Sequence, residues 1–278
     1  MNELAGVEFA KGHGTRNDFV ILPDPDGALP LTAGSVAALC DRRGGIGADG
    51  LLRVVRCAKH PDATRYAADA EWFMDYWNAD GSIAEMCGNG IRVFLRYLVT
   101  NGLADGPTVT IATRSGLRTG TVGETIAVQM GPPTLLGTTG ATIGEAGYPG
   151  VAVDAGNPHL VCPVPAAELA ALDLTRAPRL DPAVFPAGAN VEFVTVLDEP
   201  VAGADRHVRM RVYERGAGET ESCGSGAVAV AAVTLREAGR DAGTVAVDVP
   251  GGRLTATVTP DSLTLAGPAV IVATGTLR

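Results

Sequence analysis

The chain repeats itself. Cys87-Gly88-Asn89-Gly90 is answered 136 residues later by Cys223-Gly224-Ser225-Gly226, and the offset holds without a gap from residue 74 to residue 132. Within that window Met74 meets Met210, Glu85 meets Glu221, Thr121-Val122 meets Thr257-Val258, and Gly131-Pro132 meets Gly267-Pro268. In all, 14 of 59 positions are identical. Compositional bias gives roughly a third of that or less, and matched Cys and Met are not what an Ala/Gly/Val-rich bias produces. A fixed internal period constrains topology more than any single motif does. It predicts two similarly folded halves, 1–137 carrying Cys87 and 138–268 carrying Cys223. The join lies in the Gly-, Thr- and Pro-rich stretch Gly131–Gly150, as a boundary should. A final strand over Ala269–Ala273, in the segment 269–278, falls outside the window and can return to either half, the first domain included.

Local patterning agrees between the halves. Leu51–Val55, Trp72–Tyr76, Thr108–Ala112 and Glu124–Met130 read as strands bounded by turn residues, as do Val208–Tyr213, Val245–Val249 and Ser262–Leu265. After Cys87 the apolar positions Ile91, Phe94, Leu95 and Leu98 fall at i, i+3, i+4 and i+7, which predicts a helix stopped at Asn101-Gly102. After Cys223 the run Ala227–Arg236 is helical, ends near Gly239 and is apolar on nearly all sides, so it should be surrounded by sheet. The expected fold class is therefore α/β (α+β), with two pseudosymmetric domains. Each is a curved, strand-rich sheet wrapped around a helix, with a cysteine just before that helix.

Composition removes whole classes of function. With 278 residues, 46% hydrophobic and 19% charged, the chain is globular and not disordered. A net charge of −9 argues against nucleic acid as the main partner. No apolar run is long enough for a membrane span, and Met1–Gly14 lacks the basic-then-apolar order of a signal peptide. Five cysteines in a chain this long read as reduced thiols, so a cytoplasmic location is expected.

A thiol before a helix start meets unpaired N–H groups and the positive end of the helix dipole, which lower its pKa toward thiolate. The flanking glycines let backbone amides approach an anion. One such cysteine can be a nucleophile, a metal ligand or a redox centre. Two in equivalent positions suggest more. Facing each other across a cleft between related halves, they would take a proton from one side of a carbon and return one to the other, inverting it. The paired helix starts would stabilise the charge that develops. No cofactor is needed if the base is strong and the site dry.

The motifs resemble those of the diaminopimelate epimerase family. The resemblance is carried by Asn78-Ala79-Asp80-Gly81-Ser82 leading to Met86-Cys87-Gly88-Asn89-Gly90, and by Glu214-Arg215-Gly216-Ala217-Gly218-Glu219-Thr220 leading to Ser222-Cys223-Gly224-Ser225-Gly226. His13–Phe19, Gly156-Asn157-Pro158-His159 and Asn190-Val191-Glu192-Phe193 agree, and the order matches along the whole chain. The resemblance implies two pseudosymmetric domains, each a strand barrel around a central helix. It implies interconversion of LL- and meso-2,6-diaminopimelate without pyridoxal phosphate or metal, serving lysine and peptidoglycan precursor synthesis, in a homodimer. It makes Cys87 and Cys223 the acid/base thiols. Asn17, Asn78, Asn157, Asn190, Glu214 and Arg215 become substrate contacts, and the Gly88-Asn89 and Gly224-Ser225 loops carry the carboxylate at the reacting centre. His159 and Glu214 would tune the thiols. Two departures stand out. The family often has Gln where this chain has Gly50, so one substrate contact is missing or replaced by water. Ser225 stands where many members have Thr, keeping the hydroxyl.

Plainer readings stand beside these. Asn78 and Glu214 sit nine residues before their cysteines and can be turn residues closing a strand. His159 alone reads as structural, and Arg215 alone as a surface ion-pair partner. Cys40, Cys57 and Cys162 lack the glycine motif and read as buried or incidental thiols. Gly45–Gly50 matches G-x-G-x-x-G literally, but no strand precedes it and a strand-like run follows, so a dinucleotide site is not expected. His13, His60 and His207 show no metal spacing with any cysteine. The competing functions are a proline- or hydroxyproline-type racemase, a thiol–disulfide or metal-binding protein, and a noncatalytic duplicated binding module.

Overall fold

The computed structural model describes residues 4–278. In chain order the first elements are β1 (Glu8–Gly14), β2 (Asn17–Pro23), α1 (Ala33–Cys40), β3 (Gly50–Arg56), β4 (Trp72–Asn78), α2 (Gly88–Thr100), β5 (Thr108–Thr113), β6 (Gly116–Val122) and β7 (Ile126–Met130). They are followed by β8 (Thr134–Ile143), β9 (Ala146–Asp154), β10 (Pro158–Pro163), α3 (Ala166–Ala171), β11 (Arg179–Leu180), β12 (Asn190–Leu197), β13 (Arg206–Glu214), β14 (Gly218–Thr220), α4 (Gly224–Glu237), β15 (Gly243–Val249), β16 (Gly252–Val258), β17 (Leu263–Gly267) and β18 (Val270–Thr276). The chain forms two compact α/β units: the residues up to Val128 with Gly267–Arg278, and Gln129–Ala266. The boundary at Val128/Gln129 precedes the expected join at 137/138. The reason is β8, which spans that join and pairs with β9 along its length.

The two units share one strand pattern. In the first, β1 and β2 form an antiparallel hairpin, β2 is parallel to β3, β3 antiparallel to β4, β4 parallel to β5, and β5, β6 and β7 run antiparallel. In the second, β9, β10, β12, β13, β15, β16 and β17 follow with the same succession of directions. β18 lies antiparallel to β1, and β8 lies likewise on β9. The correspondence extends well outside residues 74–132. Phe19 pairs with Gly50 as His159 pairs with Asn190, and Leu51 pairs with Trp77 as Val191 pairs with Tyr213. Hence Phe19 corresponds to His159, Gly50 to Asn190, Leu52 to Glu192, and Asn78 to Glu214.

Each unit surrounds one helix. α2 packs against β1, β2, β3, β4, β6 and β18, and α4 against β9, β10, β12, β13, β15 and β16. Ile91, Phe94, Leu95 and Leu98 are all fully buried, which is the stripe the spacing predicted. Asn101 caps α2 by donating its side-chain N–H to the Tyr97 carbonyl (2.8 Å), and Gly102 follows at φ +65°, the left-handed conformation that ends helices. α4 is buried from Ala227 to Leu235 because Ala and Val leave it no polar face. It begins at Gly224, earlier than the sequence reading placed it, since glycine is compatible with a first turn capped by Cys223. No helix among the described residues is long and apolar enough to cross a membrane. The Gly45–Gly50 segment follows α1 and runs into β3, so no helix opens on its glycines.

Phe94 lies at 0% exposure on α2. Phe94→Ala is therefore expected to cost about 3–5 kcal/mol, read as a lowered midpoint in denaturant unfolding. A loss under about 1 kcal/mol would mean that α2 is not the core of its unit.

Candidate active site

Cys87 is the N-cap of α2, with extended backbone at φ −141°. Its Sγ accepts the Gly90 N–H (3.4 Å), and its thiol donates to Asn17 Oδ1 (3.6 Å). The same oxygen accepts Asn89 Nδ2 (3.1 Å), while Asn17 Nδ2 donates to Asp49 Oδ2 (2.8 Å). Asn17 begins β2 directly after a hairpin turn whose residues Thr15 and Arg16 both have positive φ, 51° and 63°. Left-handed backbone at a β-branched residue is strained. Here it gives the type I′ twist a two-residue hairpin needs and sets Asn17 against the helix start. Asn78 is not hydrogen-bonded to this set among the described residues. Its side chain donates to Ser82 Oγ (2.9 Å) and its backbone N–H to the Ser82 carbonyl (2.9 Å), so it is held by its own turn.

Cys223 caps α4 in the same way, accepting the Gly226 N–H (3.4 Å) with Ser225 Oγ at 3.6 Å. Asn190 reaches both neighbours: its Nδ2 lies 4.0 Å from the sulfur, and its Oδ1 accepts the Arg215 N–H (2.9 Å). His159 is fully buried between Glu192 Oε1 (2.7 Å) and Asn157 Oδ1 (2.8 Å). Glu214 accepts the Thr220 hydroxyl (2.5 Å). The Arg215 guanidinium donates to the Ala187 carbonyl (3.0 Å) and forms no ion pair among the described residues, so the surface ion-pair reading does not hold. Gly88-Asn89 and Gly224-Ser225 are the first turns of α2 and α4, not loops, which turns their N–H groups outward along the helix axes.

The expectation of a lowered thiol pKa is overturned at Cys223. Burial pushes this thiol well above the ordinary range, the Glu214 and Glu192 carboxylates push it further, and the Ser225 hydroxyl and Gly226 N–H pull it back only in part. Glu214 is itself raised, first by burial and then by Glu192, against the Thr220 hydrogen bond. The helix start is present, but desolvation and two nearby acids outweigh it. Cys40, Cys57 and Cys162 are buried. Burial likewise raises Cys40 and Cys57 to about 11 and Cys162 to about 12.

Glu192, in Asn190-Val191-Glu192-Phe193, belongs to the site although its spacing in the sequence does not single it out. Its side chain is fully buried, and its Oε2 has no hydrogen-bond partner among the described residues. The available signal was an acid at an inward position of the otherwise apolar run Val191–Val194. His159, Glu192 and Cys223 offer ligand atoms all within 4.8 Å of one another. Imidazole, carboxylate and thiolate form a set zinc accepts, but the hydrogen bond between His159 and Glu192 already uses two of them.

Gly50 is explained by packing. A side chain there would begin 2.6 Å from the Trp77 carbonyl oxygen and 2.8 Å from the Tyr76 ring. The position is filled by neighbours, so the missing glutamine leaves no gap that water must occupy.

Comparison with known proteins finds similarity along nearly the whole chain. A sequence model described as Diaminopimelate epimerase matches residues 9–136 and 151–277. The chain is 50% identical to "Diaminopimelate epimerase" of Rhodococcus jostii over 98% of its own length and 97% of that protein's. It is 51% identical to "Diaminopimelate epimerase" of Streptomyces coelicolor, over 97% and 94%. Among solved structures it shares the fold of a Bacillus anthracis phenazine biosynthesis protein of the PhzF family (TM-score 0.71, 19% identity, covering 98% of this chain and 99% of that one). It also shares the fold of a hydroxyproline epimerase from Agrobacterium vitis (TM-score 0.65, 14% identity, covering 98% and 92%).

Restoring the bulkier residue tests the packing account of Gly50. Gly50→Gln is expected to destabilise the protein by about 1–3 kcal/mol, because a backbone carbonyl cannot yield. Calorimetric melting checks this, and an unchanged Tm would mean that the strand adjusts freely.

Proposed function

The chain belongs to the diaminopimelate epimerase family, and from that membership we propose that it interconverts LL- and meso-2,6-diaminopimelate with Cys87 and Cys223 as its acid and base. The observation that carries the mechanism is the pair of helix-capping thiols at corresponding positions of two units with one strand pattern. In this reading one thiolate removes the proton from Cα. The C–H electron pair spreads into the adjacent carboxylate, and the other thiol delivers its proton to the opposite face, so the centre inverts. The N–H groups opening α2 and α4 stabilise the charge that builds on that carboxylate.

The remaining assignments follow from the family. Asn17, Asn78, Asn157, Asn190, Glu214 and Arg215 bind the substrate, with Gly88, Asn89, Gly224 and Ser225 at its reacting end. His159 and Glu214 tune the thiols, which accords with the position of Glu214 near Cys223. Catalysis proceeds without pyridoxal phosphate or metal. The enzyme acts in the cytoplasm as a homodimer and supplies lysine and peptidoglycan precursors. The two units, whose sequences repeat between 74–132 and 210–268, are duplicates of one ancestral unit, with the final strand returned to the first. Each closes as a curved barrel around its helix, and the ring of strands packed on α2 and on α4 supports that closure.

Two measurements test the reading. In deuterated water, LL-diaminopimelate should epimerise with deuterium entering one Cα. Cys87→Ala and Cys223→Ala should each lower turnover by about 10²–10⁴-fold while the protein stays folded, and near-normal turnover in either would end the two-thiol mechanism.

Recognition of the distal amino acid centre generates a second test. Arg215 can hold a carboxylate with two parallel hydrogen bonds, which lysine's point charge cannot do. Arg215→Lys should therefore raise KM for diaminopimelate about tenfold or more, the loss of roughly one charge-assisted bond. Free lysine, which has no distal carboxylate, should be a very poor substrate. Efficient lysine racemisation by the wild type would instead make this a broad amino acid racemase.

A further inference from the structure

The two thiols share one local geometry over opposite buried charges. Arg92, on α2, is fully buried, and its guanidinium folds back beneath the first turn of its own helix. Nη1 donates to the Gly88 carbonyl (3.4 Å), and Nη2 to Asn89 Oδ1 (2.9 Å) and to the hydroxyl oxygen of the strained Thr15 (3.1 Å). A Cβ on Gly14 would stand 3.1 Å from Nη2, so glycine there makes room for the group. Nε has no partner, and no carboxylate pairs with Arg92 among the described residues. A buried cation without an acid is costly. Burial pushes the guanidinium down to about 10, and Cys87 is the group that pulls it back up.

The corresponding surroundings of Cys223 are reversed. Arg92 is replaced by Val228 at the same point of the repeat. Beside Gly90 stand Leu52 and Phe19, 3.4 and 3.5 Å from where a Cβ would lie, while beside Gly226 stands Glu192, at 2.5 Å. His159 holds the position of Phe19 and hydrogen-bonds Glu192. The first unit thus buries a lone cation beside an apolar pair, and the second buries a carboxylate with one oxygen unpartnered.

We propose, on the basis of the two-thiol reading, that this difference fixes the resting protonation of the pair: Arg92 keeps Cys87 as the thiolate, and Glu192, with Glu214, keeps Cys223 as the thiol. Arg92 and Glu192 are positioning residues, acting through the sulfurs and not on the substrate. Arg92 also orders the amides around Cys87. By donating to Asn89 Oδ1 it turns Asn89 Nδ2 toward Asn17, whose Oδ1 accepts from the thiol form of Cys87; the thiolate gives up that bond and is held instead by the Gly90 N–H and the Arg92 charge. A turnover that begins at Cys87 moves a proton onto Cys87 and leaves the negative charge on Cys223, the disfavoured arrangement. Reverse turnover or proton exchange with solvent restores the resting form.

Among the described residues, the other charged groups on the strands packed against the two helices are paired, bonded to backbone or exposed. Around α2, Lys11 pairs with Asp18, Arg42 with Asp18 and Asp49, and Arg53 with Asp24 and Asp75. His13 accepts the Arg16 N–H, Arg96 and Arg118 donate to backbone carbonyls, and Glu8 is exposed. β18 carries no charged residue. Around α4, Asp248 pairs with Arg253 and His207, and Arg211 with Glu219. Asp154, Arg206, Arg209 and Arg236 are exposed. That leaves Glu192, Glu214 and His159 beside Cys223.

Iodoacetamide alkylation across pH, mapped at each cysteine by peptide mass, reads thiol ionisation in the intact substrate-free protein without any turnover. In the wild type, Cys87 should titrate at least about one pH unit below Cys223 and below the ordinary thiol value of about 8.5. Arg92→Gln keeps an amide donor for Asn89 but removes the charge, and should raise the Cys87 midpoint by about one unit while leaving that of Cys223 in place. Arg92→Lys should restore it, and Glu192→Gln should lower the Cys223 midpoint. Coincident titration in the wild type, or Cys223 ionising first, overturns the proposal. So does an unmoved Cys87 midpoint in Arg92→Gln of normal Tm. If Arg92→Gln does not fold, the wild-type order and Glu192→Gln decide. Failure of the two-thiol mechanism would show separately, as turnover retained in the Cys→Ala variants whatever the order of titration.

Discussion

The first turn of a buried helix is the constraint on which the rest depends. Strands pack around α2 and α4, so the apolar bodies of these helices are satisfied on every side, but their first N–H groups have no carbonyls one turn earlier to accept them. In each unit a cysteine sulfur takes the place of the usual serine or aspartate cap and accepts the N–H three residues on. Capping oxygens at these ends would satisfy the same donors more strongly. A thiol leaves an ionisable, nucleophilic atom at the positive end of a helix dipole, and the strand ends beside it can bring only a few side chains to that point. Those ends supply Asn17, Asn157, His159, Asn190 and Glu214.

The two units share this arrangement but differ at charged positions beside it. The strand directions and helix caps correspond closely. At the corresponding inward positions, however, the residues differ in charge: Phe19 and His159, Leu52 and Glu192, Arg92 and Val228. A substrate with two amino acid centres, only one of which inverts, does not call for a symmetric site. Two thiols in identical surroundings would also compete for one proton on equal terms. In the proposal made above, the buried charges remove that equality, at the expense of desolvating groups a purely structural core would leave out.

Gly50 shows how strand register and side-chain chemistry interact. It corresponds to Asn190, whose amide bridges the Cys223 sulfur and the backbone of Arg215. In the first unit the Tyr76 ring and the Trp77 carbonyl take that volume, so glycine is retained for space and not for backbone freedom.

The sequence alone determined the duplication, the two central helices, their capping cysteines and the family, because each is written in local spacing: a 136-residue offset, an i, i+3, i+4, i+7 stripe, and long motifs in order. It placed several strands within a residue or two, since alternation and turn residues act over short range. It did not place the unit boundary, because β8 is assigned by its partner β9 and not by its own Gly- and Thr-rich composition. Nor did it reveal the direction of the Cys223 shift. A helix start is legible in Cys-Gly-x-Gly, but the desolvation and the acids that outweigh it come from Glu192 and Glu214, 31 and 9 residues away in the chain and brought beside the sulfur only by strand pairing. Arg92 illustrates the same limit. In sequence it is one more arginine on a helix, and only the packing of α2 among strands makes it a buried cation with no acid paired to it among the described residues, because burial belongs to the tertiary structure and cannot be read from a residue's neighbours in the chain.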